Sequence, residues 1–412
     1  MADARPEPPG LPAGARDSLP TESEELRAIE EGLRGAFAAY GYREIATPVL
    51  EFADVLETAI EQQLGDVYRL FDAAGRVMVL RPDITVPVSR MIATRMADHP
   101  GPVRVFYFGR AFRPPPHGSP GASEVRQAGA ELVGASGPSA DAELIAVLHR
   151  SLTAAGIGEL TIAIGDISLT EAILDGMGIP REMRARLGRA LAARDLVRWQ
   201  EIAAEIDVPG PAREVLHRLP AQRGGRDVLD RVCEVAPGAD QACARVGELL
   251  LLLERYGIAD DVMLDVGIAR DWPYYSGLVL EAHSASVGAP LAVGGRYDRL
   301  AERFGTPRPA VGFAVDLDVL NRSLTLQSTD GDREDSGMVV VGGMDRHLAA
   351  AEGLRVRGVP IASVPSDQDD PVAFAARDGW RYVVQPDGSG FRVTDTRDGS
   401  VRSVVSVEQV VA

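Results

Sequence analysis

Arg110-Ala111-Phe112-Arg113, then a loop of Pro and Gly, then Glu124-Val125-Arg126-Gln127-Ala128-Gly129-Ala130-Glu131, reads as strand, loop, strand. Alternate residues of an antiparallel hairpin share a face. Gln127, Gly129 and Glu131 are therefore expected to point the same way. Gly129 between two polar side chains would leave room for a ligand against the backbone. The competing reading is a solvated face with a turn glycine, and on this stretch alone the two weigh equally.

Two further segments carry chemistry. Upstream, Leu80-Arg81-Pro82-Asp83-Ile84-Thr85 places a carboxylate and a hydroxyl two positions apart. They share a face if the chain is extended, or Asp or Thr caps the helix expected over Pro87 to Thr94. Downstream come Arg270-Asp271-Trp272-Pro273-Tyr274-Tyr275-Ser276-Gly277 and Gly294-Gly295-Arg296-Tyr297-Asp298. The adjacent glycines predict close backbone approach or a turn with positive φ. Tyrosines near an arginine suit a small polar ligand, or an aromatic core with wet tips.

The rest of the chain frames these segments. A helix is predicted from Thr21, with Thr21 and Glu24 as a capping box. Its apolar stripe is Leu26, Ile29, Leu33, Phe37 and Tyr40, and Gly41 ends it. Residues 42–51 read as extended, with Pro48 at an edge or bend. Short strands are expected at Val77 to Leu80, Val103 to Phe108 and Ala130 to Val133, the rhythm of an antiparallel sheet rather than of βαβ units. A helix over Ala140 to Ala155 and a strand over Leu160 to Ile164 follow. Residues 169–257 are read as a helical insertion, in which the five leucines of Glu248 to Tyr256 mark a buried helix. Strands return at Val262 to Val266, Gly277 to Ala282 and Leu291 to Val293, and Ala310 to Leu320 is a strand running into a helix. Residues 1–20, rich in Pro, Gly and Ala, read as a disordered leader. Residues 321–337 read as a polar linker, and 338–412 as a small alternating α/β unit.

Composition narrows the function. The chain has 412 residues, 45% of them hydrophobic and 25% charged, as in ordinary globular proteins. Its formal net charge is -17, and all 43 basic residues are arginine. That balance argues against a nucleic-acid phosphate backbone as partner. No apolar run reaches transmembrane length. Cys233 and Cys243 form no paired CxxC and read as reduced thiols of a cytosolic protein, with neither a metal nor a redox role.

Together the segments resemble the class II aminoacyl-tRNA synthetase core of the histidyl type. Residues 41–51 resemble motif 1, Phe108 to Gly134 motif 2, Gly294 to Asp298 with Pro309 to Ala314 motif 3, and 270–277 the histidine-specific motif. The resemblance spans roughly residues 21–320, in order. It implies an α+β fold: an antiparallel sheet flanked by helices, a helical insertion and a small C-terminal α/β domain like a shortened anticodon-binding domain. It also implies a histidine pocket. Asp83, Gln127 and Glu131, with Thr85 in the same patch, stand where the family holds the ammonium. Arg113 and Arg270 stand where it meets the carboxylate, and Tyr275 and Tyr297 stand beside the imidazole. The chemistry fits: carboxylates suit an ammonium, an arginine fork suits a carboxylate, and phenols can hydrogen-bond an imidazole.

The chain departs from a synthetase at the ATP site. The family's motif 2 has an adenine-contacting glutamate where this chain has Pro115, and its γ-phosphate arginine is replaced by Val319. Loss of an arginine from a phosphate site costs on the order of a few kcal/mol in the transition state. The C-terminal unit, at a net of -2, is poorly suited to an RNA loop. This combination resembles the regulatory subunits of ATP phosphoribosyltransferase. That resemblance implies a non-catalytic cytoplasmic chain in histidine biosynthesis, with no cofactor and no metal. Its partner would be a short-form catalytic subunit, its possible effector histidine, and its state a homodimer within a hetero-oligomer. The alternatives are a divergent histidyl-tRNA synthetase and a free-standing amino-acid sensor.

Overall fold

The structure, a computed structural model, describes residues 10–60, 67–114, 122–268, 275–327, 337–341, 348–364 and 370–410. The chain divides into two compact units, Met1–Gln327 and Ser328–Ala412.

The first unit opens with α1 (Pro20–Ala39), whose stripe Leu26, Ile29, Leu33 and Phe37 is buried as its spacing predicts. The expected capping box is absent. Pro20 holds the first helical position, Leu19 is the N-cap, and no side chain caps the helix. Thr21 therefore lies one residue inside the helix, where its hydroxyl cannot act as a cap. Short β1 (Arg43–Glu44) and β2 (Leu50–Phe52) lead to α2 (Ala53–Ile60) and a small sheet completed by β3 (Arg69–Phe71) and β4 (Val77–Leu80), in the order β2-β4-β3. Helix α3 (Thr85–Arg95) precedes two ten-residue strands, β5 (Val103–Phe112) and β6 (Glu124–Val133), which pair along their whole length. Then come α4 (Pro138–Ala154) and β7 (Thr161–Asp166).

The next stretch is helical: α5 (Ile167–Gly176), α6 (Arg181–Ala192), α7 (Leu196–Ala204), α8 (Gly210–Arg218), α9 (Arg226–Glu234) and α10 (Asp240–Tyr256), with the two-residue β8 (Arg223–Gly224) between α8 and α9. Strands β9 (Val262–Asp265), β10 (Leu278–His283), β11 (Ala292–Arg296) and β12 (Ala310–Asp316) follow, and α11 (Leu317–Gln327) ends the unit. The main sheet runs β1-β5-β6-β12-β11-β10-β7-β9-β8. Its centre, β5 through β7, is antiparallel throughout, whereas β1 and β9 pair in parallel with β5 and β7.

One face of the sheet carries the main core. Ala128, Ala130 and Leu132 of β6 pack there with Phe37 of α1, Leu144 and Leu148 of α4 and Phe313 of β12. Burial of such apolar surface is the dominant favourable term in folding. The helical stretch has a second core around Trp199, whose Nε1–H donates to the Leu216 carbonyl at 3.0 Å. Helix α10 serves both cores, with Val246 in the second and Leu249 and Leu253 in the first. Of its five consecutive leucines only Leu249 and Leu253, one turn apart, are fully buried; Leu251 is exposed.

Three further expectations are corrected. Cys233 and Cys243 are joined in a disulfide. The reduced-thiol reading rested on compartment and chain spacing, but the hairpin of α9 and α10 brings the two Cα atoms to 6.3 Å. Part of the supposed leader is folded. Arg16 pairs with Glu22 and Asp318, Ser18 accepts from Arg126, and the Gly14 carbonyl accepts from the Ser123 N–H. Residues 321–327 of the supposed linker belong to α11, because Leu317, Val319, Leu320 and Ser323 continue a buried helical face.

The second unit contains β13 (Met338–Val341), α12 (Leu348–Val356), β14 (Ile361–Val364), α13 (Pro371–Arg377), β15 (Tyr382–Asp387), β16 (Gly390–Asp395) and β17 (Val401–Val404). Its sheet order is β14-β13-β15-β16-β17, parallel across the first three strands and antiparallel beyond.

Candidate functional site

The other face of the main sheet is lined with small residues. Alternation in β6 turns Gln127, Gly129 and Glu131 to it, as the sequence predicts. The ladders place Gly109 and Asp316 beside Gln127, Tyr107 and Ala314 beside Gly129, and Gly312 beside Glu131. With α3 across one end, these strands enclose a cavity of about 260 Å³. Asp83, Thr85, Arg113, Gln127, Tyr275 and Tyr297 line it. Six of the eight sequence-predicted pocket residues thus meet in one concavity, with Glu131 beneath them. Arg270 lies outside the described residues, as does Pro115.

Glu131 is the centre of this arrangement. It is 0% exposed. The Thr85 hydroxyl donates to its Oε1 at 3.0 Å, and the Tyr297 hydroxyl donates to its Oε2. Burial pushes its carboxyl up to about 8, and the nearby Asp83 adds to the rise against the opposing hydroxyl hydrogen bonds. Asp83 is also raised by burial. Its Oδ1 accepts the Val86 N–H at 2.9 Å, so Asp83 caps α3 while the Thr85 side chain turns to Glu131. Gln127 is 7% exposed, and its Oε1 has no hydrogen-bond partner among the described residues.

Gly129 does not open space for a ligand. A Cβ there would run into the Tyr107 ring and hydroxyl and come within 2.7 Å of the Phe313 carbonyl. The space belongs to Tyr107, which sequence reasoning missed. Its hydroxyl is buried without a partner among the described residues. Thr85 and Glu131 lie close enough to perturb it, but neither meets it in hydrogen-bonding geometry. The only sequence signal was its phase with Gly109 in an extended run, and the partner across the ladder was not readable. Gly312 plays the corresponding part for Glu131: a Cβ at Gly312 would overlap the carboxylate and meet the Tyr297 hydroxyl at 2.8 Å. Neither Gly294 nor Gly295 has a positive φ. Both lie in β11 and allow close approach: a Cβ added at Gly295 would come within 2.8 Å of the Tyr275 ring.

Arg113 stands at the cavity rim, its Nε donating to the Pro82 carbonyl at 2.7 Å. On the opposite wall Val319 lines the cavity, and Asp316 accepts the N–H groups of Asp318 and Val319 at 3.0 Å each. The first turn of α11 is thereby supplied with its own anion. Arg296 and Asp298, although adjacent to Tyr297, serve the scaffold. The Arg296 guanidinium is buried against Asp141 of α4 at 2.6 Å and pairs with Asp298 at 2.9 Å. Among the described residues no His, Cys, Asp and Glu group could hold a metal ion, and no helix is long and apolar enough to cross a membrane.

A sheet antiparallel through its centre, with a cavity between a motif 2-like hairpin and strands β11 and β12, defines a class II synthetase-like protein of the histidyl type. The histidyl-tRNA synthetase family model matches residues 14–320. A solved structure from Bacillus halodurans, described as an ATP phosphoribosyltransferase regulatory subunit/histidyl-tRNA synthetase, is 27% identical and superposes with a TM-score of 0.81 over 91% of this chain and 97% of its own. Histidyl-tRNA synthetase from Nostoc, 21% identical with a TM-score of 0.79 over 97% of each chain, shares the fold. ATP phosphoribosyltransferase regulatory subunits of Moorella thermoacetica and Symbiobacterium thermophilum are 35% and 36% identical, over 85% and 89% of this chain and 91% and 88% of theirs. The chain belongs to the family of ATP phosphoribosyltransferase regulatory subunits.

Proposed function

We propose that this chain catalyses no reaction itself, partners a short-form ATP phosphoribosyltransferase catalytic subunit in the cytoplasm, and binds histidine in the cavity above Glu131. The observation that carries the non-catalytic part is the wall formed by Asp316 and Val319. Asp316 fills the first turn of α11 with a carboxylate, and Val319 offers no charge to a phosphate. Helix N-termini favour anions, but this one already holds its own. A triphosphate in the cavity would meet that carboxylate, and the α11 side chain that lines the cavity is Val319 rather than an arginine. The rest of the lining supports an amino acid: the buried Asp83 carboxylate for an ammonium, Arg113 for a carboxylate, and two tyrosines.

A homodimer within the complex is supported by the small sheet. Leu50 and Leu70 are exposed on one face of it, and Phe71, at 72%, is exposed with Val77 on the other. Exposed apolar side chains of this kind suit an interface, and we assign it to a second copy of the chain.

The test is co-expression with a short-form catalytic subunit. The expected result is one co-eluting complex, phosphoribosyl transfer that depends on this chain, and inhibition by histidine. The pure chain should show no histidine-dependent pyrophosphate exchange with ATP. Robust exchange would favour a divergent synthetase. A catalytic chain fully active alone, with no complex, would favour a free-standing sensor.

A further inference from the structure

A second concavity lies within the helical stretch. It holds about 1130 Å³ and is walled by the end of α5, by α8, by the end of α9 with the turn after it, and by residues 221–223 at β8. Strand β8 is the outer edge of the main sheet, four strands beyond β11, and the two cavities share no lining residue. The walls are closely packed where they meet. A Cβ at Gly176 would come within 2.7 Å of the Pro237 carbonyl, and one at Gly267 would overlap the Pro220 carbonyl. The disulfide of Cys233 and Cys243 spans the turn that carries Val235 and Pro237. Such walls are in place before a ligand arrives.

Gln222 points to what the ligand is. It is 8% exposed and lines the cavity. Arg231 donates to its Oε1 through Nη1 at 3.2 Å. A guanidinium can only donate, so this bond fixes which end of the amide is oxygen. The NH2 at the other end has no acceptor among the described residues. The next residue repeats the pattern. The Arg223 Nε donates to Asp265 Oδ2 at 2.8 Å across the β8–β9 ladder, and its two terminal amino groups have no partner among the described residues. Arg218, at the end of α8, adds a third cation to the lining, and its contact with Glu214 is a pair of exposed side chains at 3.4 Å. Pairs of that kind are worth little. Acids stand near all three arginines, because Asp227 lies 3.4 Å from Arg231 and Glu234 also lines the cavity. Selection therefore comes from the direction of fixed N–H groups rather than from net charge.

We propose that this concavity binds a small molecule carrying an oxyanion on an apolar or aromatic body, with Gln222 and Arg223 as its principal donors. An amide NH2 and the two amino groups of a guanidinium, on adjacent residues, suit the oxygens of a carboxylate or of a phosphate ester, which share this chemistry. Each donor is already anchored by its other end, so little side-chain freedom is lost on binding. Met177 of α5, Val215 of α8 and Val235 after α9 line the remainder and suit the apolar body. The site is independent of what occupies the cavity on the sheet.

The experiment is titration calorimetry of the intact chain with three probes that share a benzene ring: phenyl phosphate, phenylacetate and benzyl alcohol. At least one anion should bind, with a Kd of about a millimolar or tighter, and the tighter of the two names the head group. Benzyl alcohol should bind about tenfold more weakly or worse, the worth of a charge-assisted hydrogen bond. Arg223→Gln should weaken the anion about tenfold or more, and Gln222→Met, which keeps the length and removes the donor, about three- to tenfold. Arg223→Gln leaves Asp265 without its guanidinium, so Gln222→Met keeps the test open if that chain fails to fold. Equal affinity for all three probes, anion affinity unchanged in either folded variant, or no binding of either anion overturns the proposal.

Discussion

Thr85, in the first turn of α3, donates a hydrogen bond of 3.0 Å to Glu131 in β6, 46 positions further along the chain. That bond ties the helix end capped by Asp83 to the deepest carboxylate of the site. It makes the ionisation of one buried group a property of the folded sheet as well as of any ligand.

A pH dependence of stability follows. A glutamate ionises near 4.5 without the fold, and Glu131 near 8 within it. Between these values the folded chain holds a proton that the unfolded chain has released, so stability falls as pH rises across that window. The slope from this residue is at most about 1.4 kcal/mol per pH unit. Denaturant midpoints at pH 5.5, 6.5 and 7.5 should fall more steeply in the wild type than in Glu131→Gln. Parallel lines would contradict this.

Gly129→Ala should destabilise the chain by about 1–3 kcal/mol, the usual cost of overpacking. The added methyl meets Tyr107 and the Phe313 carbonyl. Adding Tyr107→Leu should recover part of the loss but not all, because the backbone obstacle remains. Thermal unfolding of the single and double variants measures the difference.

Among the described residues Arg81 has no acid partner in its hydrogen bonds. Its guanidinium donates to the carbonyls of Arg110 and Thr47 at 2.8 Å each, to the Thr47 hydroxyl at 2.9 Å and to the Pro48 carbonyl at 3.3 Å. It binds the segment before β2 to the end of β5. Arg81→Ala should cost about 2–4 kcal/mol, since charged hydrogen bonds are lost and carbonyls are left unpaired. Arg81→Lys should recover little, because an ammonium cannot span the same fork. Chemical denaturation of both variants provides the check.

The disulfide between Cys233 and Cys243 closes a short loop, with a sequence separation of 10. Cys233→Ser should lower stability by about 2–3 kcal/mol, the loop-entropy value for that length. Hydrogen exchange should locate the loosening in α9 and the start of α10. Exchange unchanged there would show that packing alone holds the hairpin.

The local patterns were legible in the sequence. The stripe of α1, the strands β4, β13 and β14, the run from β12 into α11 and the shared face of Gln127 and Glu131 all follow from periods of 3.6 and 2. Those periods are set by bonds between near neighbours in the chain, so the residues carry them wherever the segment lies. The resemblance supplied eight candidate pocket residues, and six of those side chains line one cavity.

What sits across from each residue was decided only by the tertiary structure. That Tyr107 faces Gly129 and that Gly312 admits the Glu131 carboxylate depend on ladder register, the second between residues 181 positions apart. The pairing of the two cysteines, the docking of Arg16 on Asp318 and of Ser18 on the hairpin, and the division of α10 between two cores have the same origin. A side chain's face follows from its own strand or helix. Its neighbours across the ladder, and with them the proton held by Glu131, exist only once distant segments have packed and excluded water.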